Sequence, residues 1–296
     1  MKVVRISAEL TPQPRAVAIG SFDGVHRGHR SVLDAVRGTG LEPAVITFDP
    51  HPRIALGNKV ELLTTLERRL ELFDDAGIET VLVAAFTPEL QRLTPEAFAE
   101  QFLRAIGVEC VVAGEDFRFG VRRSGDLALL ESLGFDVVVP AEIDGVSSTA
   151  IRAALAGGDV GGAAEMLGRP FELDGVVVAG DQRGGTLGYP TANLRLDPDL
   201  ACPQYGIYAG AALGHRAAVS IGTNPHYGGI ERRIEPYLLD YEGDLYGQRL
   251  VVELWERLRD EAVFESEDAL VEQIARDVEA TRAAQRPGSP HVGSDP

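Results

Sequence analysis

Two histidines stand three residues apart in the segment Gly20–His29, whose sequence is GSFDGVHRGH. The segment follows the short apolar run Ala16–Ile19, which is typical of a buried strand, and it begins an amphipathic stretch. His26 and His29 would share one face of a helix's first turn, and Gly28 between them leaves room for a ligand beside the backbone. The free N–H groups of a helix N-terminus bind anions, and imidazoles beside them suit a polyphosphate. The alternative is a capped helix with two ordinary surface histidines.

A second junction between a loop and a helix carries hydroxyl groups, in the segment 147–152 (SSTAIR). Ser148 and Thr149 lie at the expected helix start, and Arg152 follows one turn further along. Hydroxyls, backbone N–H groups and an arginine together could hold a phosphate. Alone, the segment indicates only a capped helix. Together with the two histidines, it gives two helix starts suited to phosphate.

The glycine-rich segment 184–193 (GGTLGYPTAN) places a hydroxyl and an amide two residues apart. If Thr191–Asn193 is extended, both side chains project from the same face. Neutral oxygens suit Mg²⁺, which prefers oxygen ligands and keeps phosphates in its shell. On this segment alone, a hairpin turn followed by polar strand residues is the simpler interpretation.

Glu235 stands just before a strand-like apolar run. A carboxylate there could be a general base for a hydroxyl, or simply an exposed residue at the start of a strand. Pro236 restricts Glu235 to an extended backbone. Sequence spacing does not decide between the two interpretations.

The elements that must position these residues differ between the two halves of the chain. In the first half, strands are predicted at 16–19, 44–48, 81–86, 108–113 and 135–139, and helices at 30–37, 66–76, 95–106 and 126–133. This alternation is typical of a parallel sheet with helices on both faces. Ligands bind beyond the carboxyl ends of the strands in such folds, which is where the histidine segment falls.

The pattern of the second half predicts an antiparallel sheet, either closed into a barrel or packed as a sandwich. A helix interrupted by glycines is predicted at 151–166, strands at 175–179, 207–213, 217–221, 237–241 and 250–254, and a final helix from the N-cap Ser266. We therefore expect one domain at 1–167 and another at 168–283. A disordered tail rich in Pro, Gly and Ser is predicted at 284–296.

Composition excludes several classes of protein. The 296 residues include 28 Lys+Arg and 45 Asp+Glu, and the net charge of −17 argues against binding nucleic acid or anionic membrane by bulk charge. No apolar run approaches the ~20 residues of a membrane helix. Without a visible signal peptide, and with Cys110 and Cys202 as free thiols, we expect a soluble cytoplasmic protein. The sequence also lacks a P-loop and a G-x-G-x-x-G motif.

The histidine segment resembles the signature of the nucleotidylyltransferases, and SSTAIR resembles their second signature. The segments 48–52 (FDPHP) and 114–120 (GEDFRFG) are similar to the flavin adenylyltransferase half of the bacterial bifunctional riboflavin kinase/FAD synthetase family. The resemblance implies that His26 and His29 stabilise charge on the ATP phosphates during attack at the α-phosphorus. It implies that the nucleotide is bound by Gly20, Phe22, Asp23, Gly24, Gly28, Asp116, Ser148, Thr149 and Arg152, with Asp116 on the nucleotide or flavin side.

The remaining segments resemble the riboflavin kinase half of that family, in the family's order: GRPFELDGVV, LGYPTANL, YGIYAG, IGTNPHYGG, IEPYLLDYEGDLYGQ and LRDEAVF. The resemblance implies that Glu235 deprotonates the ribityl 5′-hydroxyl for attack on the γ-phosphate. Thr191 and Asn193 would place Mg²⁺ and the phosphates. It further implies a loop over the nucleotide with Gly180, Gly188 and Pro190, and flavin contacts from Asn224, Arg259 and Phe264.

Two positions depart from the family's usual G-R-x-L-G-F-P-T-A-N. Gly185 replaces the arginine and Tyr189 replaces the phenylalanine. Loss of the arginine predicts weaker contact with ATP phosphates, although Arg183 is close by. Neither change removes a group that the chemistry needs.

These observations lead to the interpretation of a Mg²⁺-dependent transferase that phosphorylates riboflavin to FMN and adenylylates FMN to FAD, releasing pyrophosphate. The expected fold is an N-terminal Rossmann-like nucleotidylyltransferase domain and a C-terminal antiparallel β-barrel with a final helix. The expected partners are ATP, riboflavin and FMN, with neither nucleic acid nor membrane, and the oligomeric state cannot be read. One alternative is a monofunctional FMN adenylyltransferase whose β domain only binds flavin. The other is a flavin-binding protein without turnover.

Overall fold

The structure, a computed structural model, describes residues 1–180, 188–226 and 229–288, except for the side chains of 224–226 and 229–231. These residues form two compact units. The N-terminal unit comprises Met1–Val60 and Thr65–Val146, and the C-terminal unit comprises Glu61–Thr64 and the residues from Ser147 onward. Residues 147–167 are thus part of the compact C-terminal unit, whereas the functional boundary expected at 167/168 stays a prediction.

The N-terminal unit is built on a six-stranded parallel sheet. Its strands are β1 (Lys2–Val4), β2 (Arg15–Ile19), β3 (Glu42–Asp49), β4 (Thr80–Ala85), β5 (Val108–Val112) and β6 (Asp136–Val138). The strand order is β1-β4-β3-β2-β5-β6, and every pairing is parallel. The central strand β2 is buried along its whole length, as expected for a sheet covered on both faces. The carboxyl ends of β3, β2 and β5 therefore lie side by side at one edge.

Helices connect these strands. They are α1 (Arg27–Gly38), α2 (Pro52–Ala55), α3 (Leu66–Asp75), α4 (Pro88–Gln91), α5 (Pro95–Phe98) and α6 (Leu127–Ser132), with short 3₁₀ or π turns at Ser7–Glu9, Ala99–Leu103, Arg104–Ile106 and Val121–Arg123. The single helix predicted at 95–106 is instead three consecutive pieces of α, π and 3₁₀ type. They end at Gly107, whose positive φ of 79° stops the helix, and a Cβ there would lie 2.4 Å from the Gln13 backbone.

The C-terminal unit is built on a six-stranded antiparallel sheet. Its strands are β7 (Phe171–Val178), β8 (Asn193–Leu196), β9 (Gly206–Ala212), β10 (His215–His226), β11 (Gly229–Leu238) and β12 (Arg249–Arg259). They follow the order β11-β10-β9-β12-β7-β8, and the two edges meet where Ala192 N donates to Pro236 O at 3.0 Å. The sheet thereby curls into a barrel around a core that includes Tyr208 and Leu254.

One strand of the barrel differs from its prediction. A strand was expected at 237–241, but β11 covers Gly229–Leu238 and the chain turns at Asp240, whose φ is +57°. The apolar run marks only the last residues of the strand, because the earlier part includes the consecutive charged residues Arg232 and Arg233.

Among its described residues, the C-terminal unit also contains the helices α7 (Ser148–Ala156), α8 (Val160–Leu167) and α9 (Glu267–Ala283). The glycine interruption predicted between α7 and α8 is present, and the Ser266 hydroxyl caps α9 by accepting from Ala269 N at 3.2 Å. Trp255 is buried on the outside of the barrel, where its Nε1 donates to Glu253 at 2.8 Å and the Arg216 guanidinium lies 5.2 Å from its ring centroid.

The disordered tail predicted from residue 284 begins too early. Ala284 is buried in the cluster that contains Trp255, and Arg286 forms two hydrogen bonds of 2.8 and 2.7 Å with the Glu253 carboxylate. A buried methyl group and a bidentate ion pair hold residues 284–286 in place. The rest of the predicted tail, 289–296, lies outside the described residues.

The predicted fold class is confirmed: a parallel α/β unit is followed by an antiparallel barrel with a final helix. Over the part of the chain that the structure describes, no helix combines the length and the apolar character needed to cross a membrane.

Candidate active sites

The two histidines lie on the turn that leads from β2 into α1. His26 is the N-cap of α1, and its Nδ1 accepts a hydrogen bond from His29 N at 3.3 Å. The two imidazole rings stack, with centroids 3.6 Å apart and planes inclined by 16°. A Cβ at Gly28 would lie 3.2 Å from His26 Cε1. A glycine at position 28 therefore leaves the His26 ring room to stack.

Burial controls the charge of this pair. His26 is buried, and the Nδ1 atom of His29 is buried without a hydrogen-bond partner. The pKa of His29 lies well below its ordinary 6.5, first because of burial and then because of the neighbouring positive charges of His26 and Arg69. His29 is consequently a neutral imidazole near pH 7.

The backbone of the same turn is strained. Phe22 and Val25 have φ values of +51° and +40°, in the left-handed region that side chains other than glycine rarely adopt. The Phe22 ring packs edge-on against Phe73, at 5.5 Å, and against His29, at 5.2 Å. Such strain persists only where the surroundings over-determine it, and it is common at functional sites.

The neighbouring strand ends bring further polar residues to the same edge of the sheet. Asp49 is the last residue of β3, and His51 caps α2 through a bond from Arg53 N to its Nδ1 at 3.2 Å. Asp116, an exposed residue, follows β5. Because β3 and β5 flank β2, Asp116 lies at the edge that carries the histidine turn.

Sequence reasoning missed Arg69 on α3. The residue is only 3% exposed, and its Nη1 donates to Ser21 O at 2.7 Å, within the histidine turn. Helical spacing places Arg69 on the same face as Leu66 and Leu72, which is a sign of its burial. The charged neighbours in LERRLELFDD hide that pattern.

The second signature lies at the start of α7, in the C-terminal unit. The Ser147 hydroxyl caps this helix, and Ser148 and Thr149 form its first turn with Thr149 exposed. Arg152 donates from Nη1 to the Glu61 carbonyl at 3.4 Å. The capped helix start that the sequence predicts is present, while phosphate binding by these residues stays a prediction.

On the barrel, Glu235 projects outward from β11. Ile234 and Leu238 of the same strand are buried in the core, so the alternating side chains between them face the other way. The Glu235 carboxylate is half-buried and lies 3.6 Å from Arg233 Nη1. Ser220 is its partner across the ladder on β10. Glu235 is thus oriented by a neighbouring cation on a paired strand.

The hydroxyl and amide of the glycine-rich segment lie beside that strand. Ala192 packs on the barrel core, so Thr191 and Asn193 on either side of it face outward. The bond from Ala192 N to Pro236 O joins this segment to β11 next to Glu235. Three sequence-predicted residues of the kinase chemistry are therefore brought to one outer region of the barrel.

Gly180 leaves space for the Asn193 amide. A Cβ at position 180 would lie 2.1 Å from Asn193 Nδ2, which is closer than any real contact. No group of three or more His, Cys, Asp or Glu suited to a metal occurs among the described residues. Thr191 and Asn193 offer two neutral oxygens instead, which fits Mg²⁺ because that ion keeps waters and phosphates as its other ligands.

The loop before Thr191 is described only at its end. Gly188 has a positive φ of 84°, and Pro190 is exposed. Tyr189 packs edge-on against Tyr237 of β11 with centroids 5.4 Å apart, which holds this end of the loop beside β11. The glycine-for-arginine departure falls within 181–187, outside the described residues.

The residues predicted to contact flavin fall into two groups. Arg259 makes a bidentate ion pair with the buried Asp277, with Nε–Oδ1 at 2.9 Å and Nη2–Oδ2 at 2.7 Å, and its guanidinium lies 5.8 Å from the Phe264 ring centroid. The side chain of Asn224 lies outside the described residues. Arg259 and Phe264 are brought together, while flavin binding by all three stays a prediction.

The fold and these two constellations define a class: a two-unit phosphorus-group transferase that works without a P-loop. The FAD synthetase family model matches residues 8–150, and the riboflavin kinase model matches residues 167–285. The chain belongs to the bifunctional riboflavin kinase/FMN adenylyltransferase family.

Individual relatives agree with the two family models. The bifunctional riboflavin kinase/FMN adenylyltransferase of Listeria monocytogenes is 36% identical over 93% of this chain and 94% of its own length. That of Escherichia coli K12 is 37% identical over 94% and 96%. A solved structure titled as a macrolide-efflux protein from Streptococcus pneumoniae has a TM-score of 0.84 and 32% identity, covering 95% of this chain and 98% of its own.

Both halves of the family are thus present, which supports the bifunctional interpretation over the monofunctional alternative. The protein is an enzyme of flavin-cofactor synthesis, a riboflavin kinase and FMN adenylyltransferase. Its substrates are small molecules: ATP, riboflavin and FMN.

Proposed function

We propose that adenylyl transfer to FMN uses the histidine turn of the N-terminal unit and that Mg²⁺-dependent phosphorylation of riboflavin uses the outer face of the barrel around Glu235. The observation that supports this division is that each unit carries its own polar constellation on a separate framework. The stacked histidines lie at a helix N-terminus, and the carboxylate, hydroxyl and amide lie on paired strands.

In adenylyl transfer, an FMN phosphate oxygen attacks the α-phosphorus of ATP and pyrophosphate leaves. The protein supplies position and charge stabilisation and needs no nucleophile of its own. His26, His29 and the N–H groups at the start of α1 face the negative charge that grows on the phosphoryl oxygens. Gly20, Gly24 and Gly28 allow the close backbone approach, with Phe22 and Asp23 fixed in the strained turn.

Further residues are assigned to nucleotide binding. Ser148 and Thr149 offer hydroxyl and N–H donors at the start of α7, and Arg152 offers a guanidinium for phosphate. Asp116, at the edge of the parallel sheet, hydrogen-bonds the nucleotide or the flavin.

In riboflavin phosphorylation, Glu235 accepts the proton of the ribityl 5′-hydroxyl as its oxygen attacks the γ-phosphorus and ADP leaves. Arg233 keeps the carboxylate in place. Thr191 and Asn193 hold Mg²⁺, which when bound neutralises charge on the transferring phosphates.

The remaining residues of the barrel bind the two substrates. The loop that includes Gly180, Gly188 and Pro190 covers the nucleotide. Asn224, Arg259 and Phe264 close on the flavin.

Chromatography of flavins tests the proposal. The purified protein is incubated with ATP and Mg²⁺, in one tube with riboflavin and in a second tube with FMN. FMN and FAD are expected in the first tube and FAD in the second, and both products should disappear when Mg²⁺ is chelated. FMN formation that survives chelation would contradict the role assigned to Thr191 and Asn193.

The assignment to separate sites is tested with two variants in the same assay. His26→Ala should lose FAD formation and keep FMN formation, and Glu235→Ala should do the reverse. If both activities fall together in either variant, while circular dichroism shows an intact fold, the division is wrong.

A further inference from the structure

A buried guanidinium lies directly beneath the histidine turn. Arg69 of α3 is 3% exposed. Its Nη1 donates to Ser21 O at 2.7 Å and to Thr47 Oγ1 at 3.4 Å, while its Nε is buried with no hydrogen-bond partner. An aliphatic side chain would fill this place at lower cost, because a buried charge with incomplete hydrogen bonding is expensive. Packing alone therefore does not explain why position 69 is an arginine.

The first reason is the conformation of the turn. Ser21, whose carbonyl Arg69 holds, immediately precedes Phe22 with its φ of +51°. The Phe22 ring in turn packs on Phe73, one helical turn after Arg69. Helix α3 therefore contacts the strained turn at two points: Arg69 binds a carbonyl group of the turn, and Phe73 packs against its aromatic ring. A strained backbone needs such support to remain in one conformation.

The second reason is the charge of His29. After burial, the pKa of His29 is lowered by His26, whose ring is stacked on it at 3.6 Å, and by the positive charge of Arg69. Two stacked imidazoles cannot both be protonated at low cost, and a buried guanidinium adds to the penalty. Burial lowers the pKa of Arg69, and the carboxylates of Asp23 and Asp49 act against that shift and favour the charged guanidinium.

We propose that Arg69 is a positioning residue for adenylyl transfer, which fixes the strained turn that carries His26 and His29. Its positive charge adds to burial and to His26 in disfavouring the imidazolium form of His29. His29 then serves the ATP phosphates as an N–H hydrogen-bond donor, and positive charge at the site comes from the helix N-terminus and Arg69. The inference rests on the proposed placement of ATP phosphates at His26 and His29.

The test compares Arg69→Met and Arg69→Lys. In Arg69→Met, we expect kcat for FAD formation from FMN to fall about 100-fold, the cost of a misplaced catalytic group, with little change in the KM for FMN. The acid limb of its pH–rate profile should move to higher pH, because His29 protonates more readily without the neighbouring cation. Arg69→Lys keeps the charge but loses the planar guanidinium group. The acid limb of its pH–rate profile should therefore stay in place, while kcat should still fall.

A spectroscopic readout separates this role from a merely structural one. The titration of His29 is followed by NMR with isotope-labelled histidine, assigned with His29→Gln. The His29 pKa should rise in Arg69→Met and remain low in Arg69→Lys. The dispersion of the amide signals of the N-terminal unit in the same samples reports that this unit is folded.

A matched control is Arg68→Met, which removes the neighbouring arginine of the same helix, paired with Glu71 at 2.6 Å. It should change neither the pH–rate profile nor the His29 titration. If Arg69→Met leaves the His29 titration and the acid limb unchanged, the inference is overturned. If instead His29→Ala forms FAD at the wild-type rate, the proposed function itself fails at this residue, irrespective of Arg69.

Discussion

The histidine turn and the outer face of the barrel place polar groups in different ways. At the turn, His26 is buried, two residues without glycine's freedom adopt positive φ, and Nδ1 of His29 has no partner. On the barrel, Glu235 lies on a regular strand paired through β10, half-buried and next to a cation. At the histidine turn, the polar groups are positioned by burial on a strained backbone. On the barrel, they are positioned by the pairing of strands.

The difference shows what each framework must provide. Strand pairing fixes the direction of every side chain, so a reacting group on a strand needs little support beyond its ladder. A turn has no ladder, so its shape must come from contacts with another element, here Arg69 and Phe73 of α3. Substitutions on the barrel should therefore change chemistry alone, whereas substitutions at the turn should change shape and charge together.

The largest effect is expected from Glu235→Gln, which keeps size and hydrogen bonding but removes the base. Riboflavin phosphorylation should fall about 100- to 10,000-fold, the usual contribution of a general base. FAD formation from FMN should be unchanged, because the strand pairing remains. Steady-state rates of both reactions measure this, with the exposed Glu256→Gln on β12 as the control. An active Glu235→Gln kinase would remove Glu235 from the chemistry.

His26→Ala should lower FAD formation by about 100- to 1,000-fold, the typical loss for a charge-stabilising donor. Unlike the barrel variant, it also removes the N-cap acceptor for His29 N, so local order should be lost with activity. Hydrogen exchange of the α1 amides, measured with the two reaction rates, checks both parts. Loss of activity without faster exchange would mean that the turn is shaped independently of this cap.

Gly180→Ala tests how closely the barrel site is packed. The new methyl group would overlap the Asn193 amide, so the Mg²⁺ concentration for half-maximal kinase activity should rise about 10-fold, as for other disturbances of metal ligands. FAD formation from FMN should not change. Gly161→Ala in α8, where a Cβ meets nothing closer than 3.7 Å, is the matched control. If the Mg²⁺ dependence does not change, Asn193 is not a ligand of the metal.

The smallest effect concerns the stability of the N-terminal unit in acid. The folded state lowers the pKa of His29, so the unfolded state binds the proton more readily. The free energy of unfolding should therefore decrease as the pH falls below 6.5, by up to about 1.4 kcal/mol per pH unit. Native-state hydrogen exchange of the β2 and β3 amides measures it. His29→Gln should remove this dependence, and its persistence would assign the effect to another group.

Much of the fold could be predicted because the strands of the parallel sheet are continuous apolar runs. β2, β3, β4 and β5 appear in the sequence within two residues of their observed ends. The strands that the sequence does not indicate, β1 and β8, are only three and four residues long, and each stands at an end of its sheet's strand order. An edge strand is specified by its neighbour, and a single sequence does not show that neighbour.

The candidate sites divide in the same way. His26, His29, Thr191 and Glu235 stand in short segments that resemble the motifs of a known family, and this resemblance made them candidates. No local motif points to the role of Arg69, because that role depends on a carbonyl group 48 residues away. The pairing of Arg259 with Asp277, 18 residues on, was equally hidden. The candidate reacting residues stand in local motifs, whereas contacts between distant residues are visible only in the folded chain.

The sequence contains one tryptophan, and its surroundings make it useful in a way unrelated to catalysis. Trp255 is 8% exposed, beneath Arg216 and beside Ala284 at the end of α9. Lifting α9 from the barrel would expose the indole to water and shift its emission to longer wavelength. The intrinsic fluorescence of the whole protein therefore reports a single event, the docking of the final helix, without any added label.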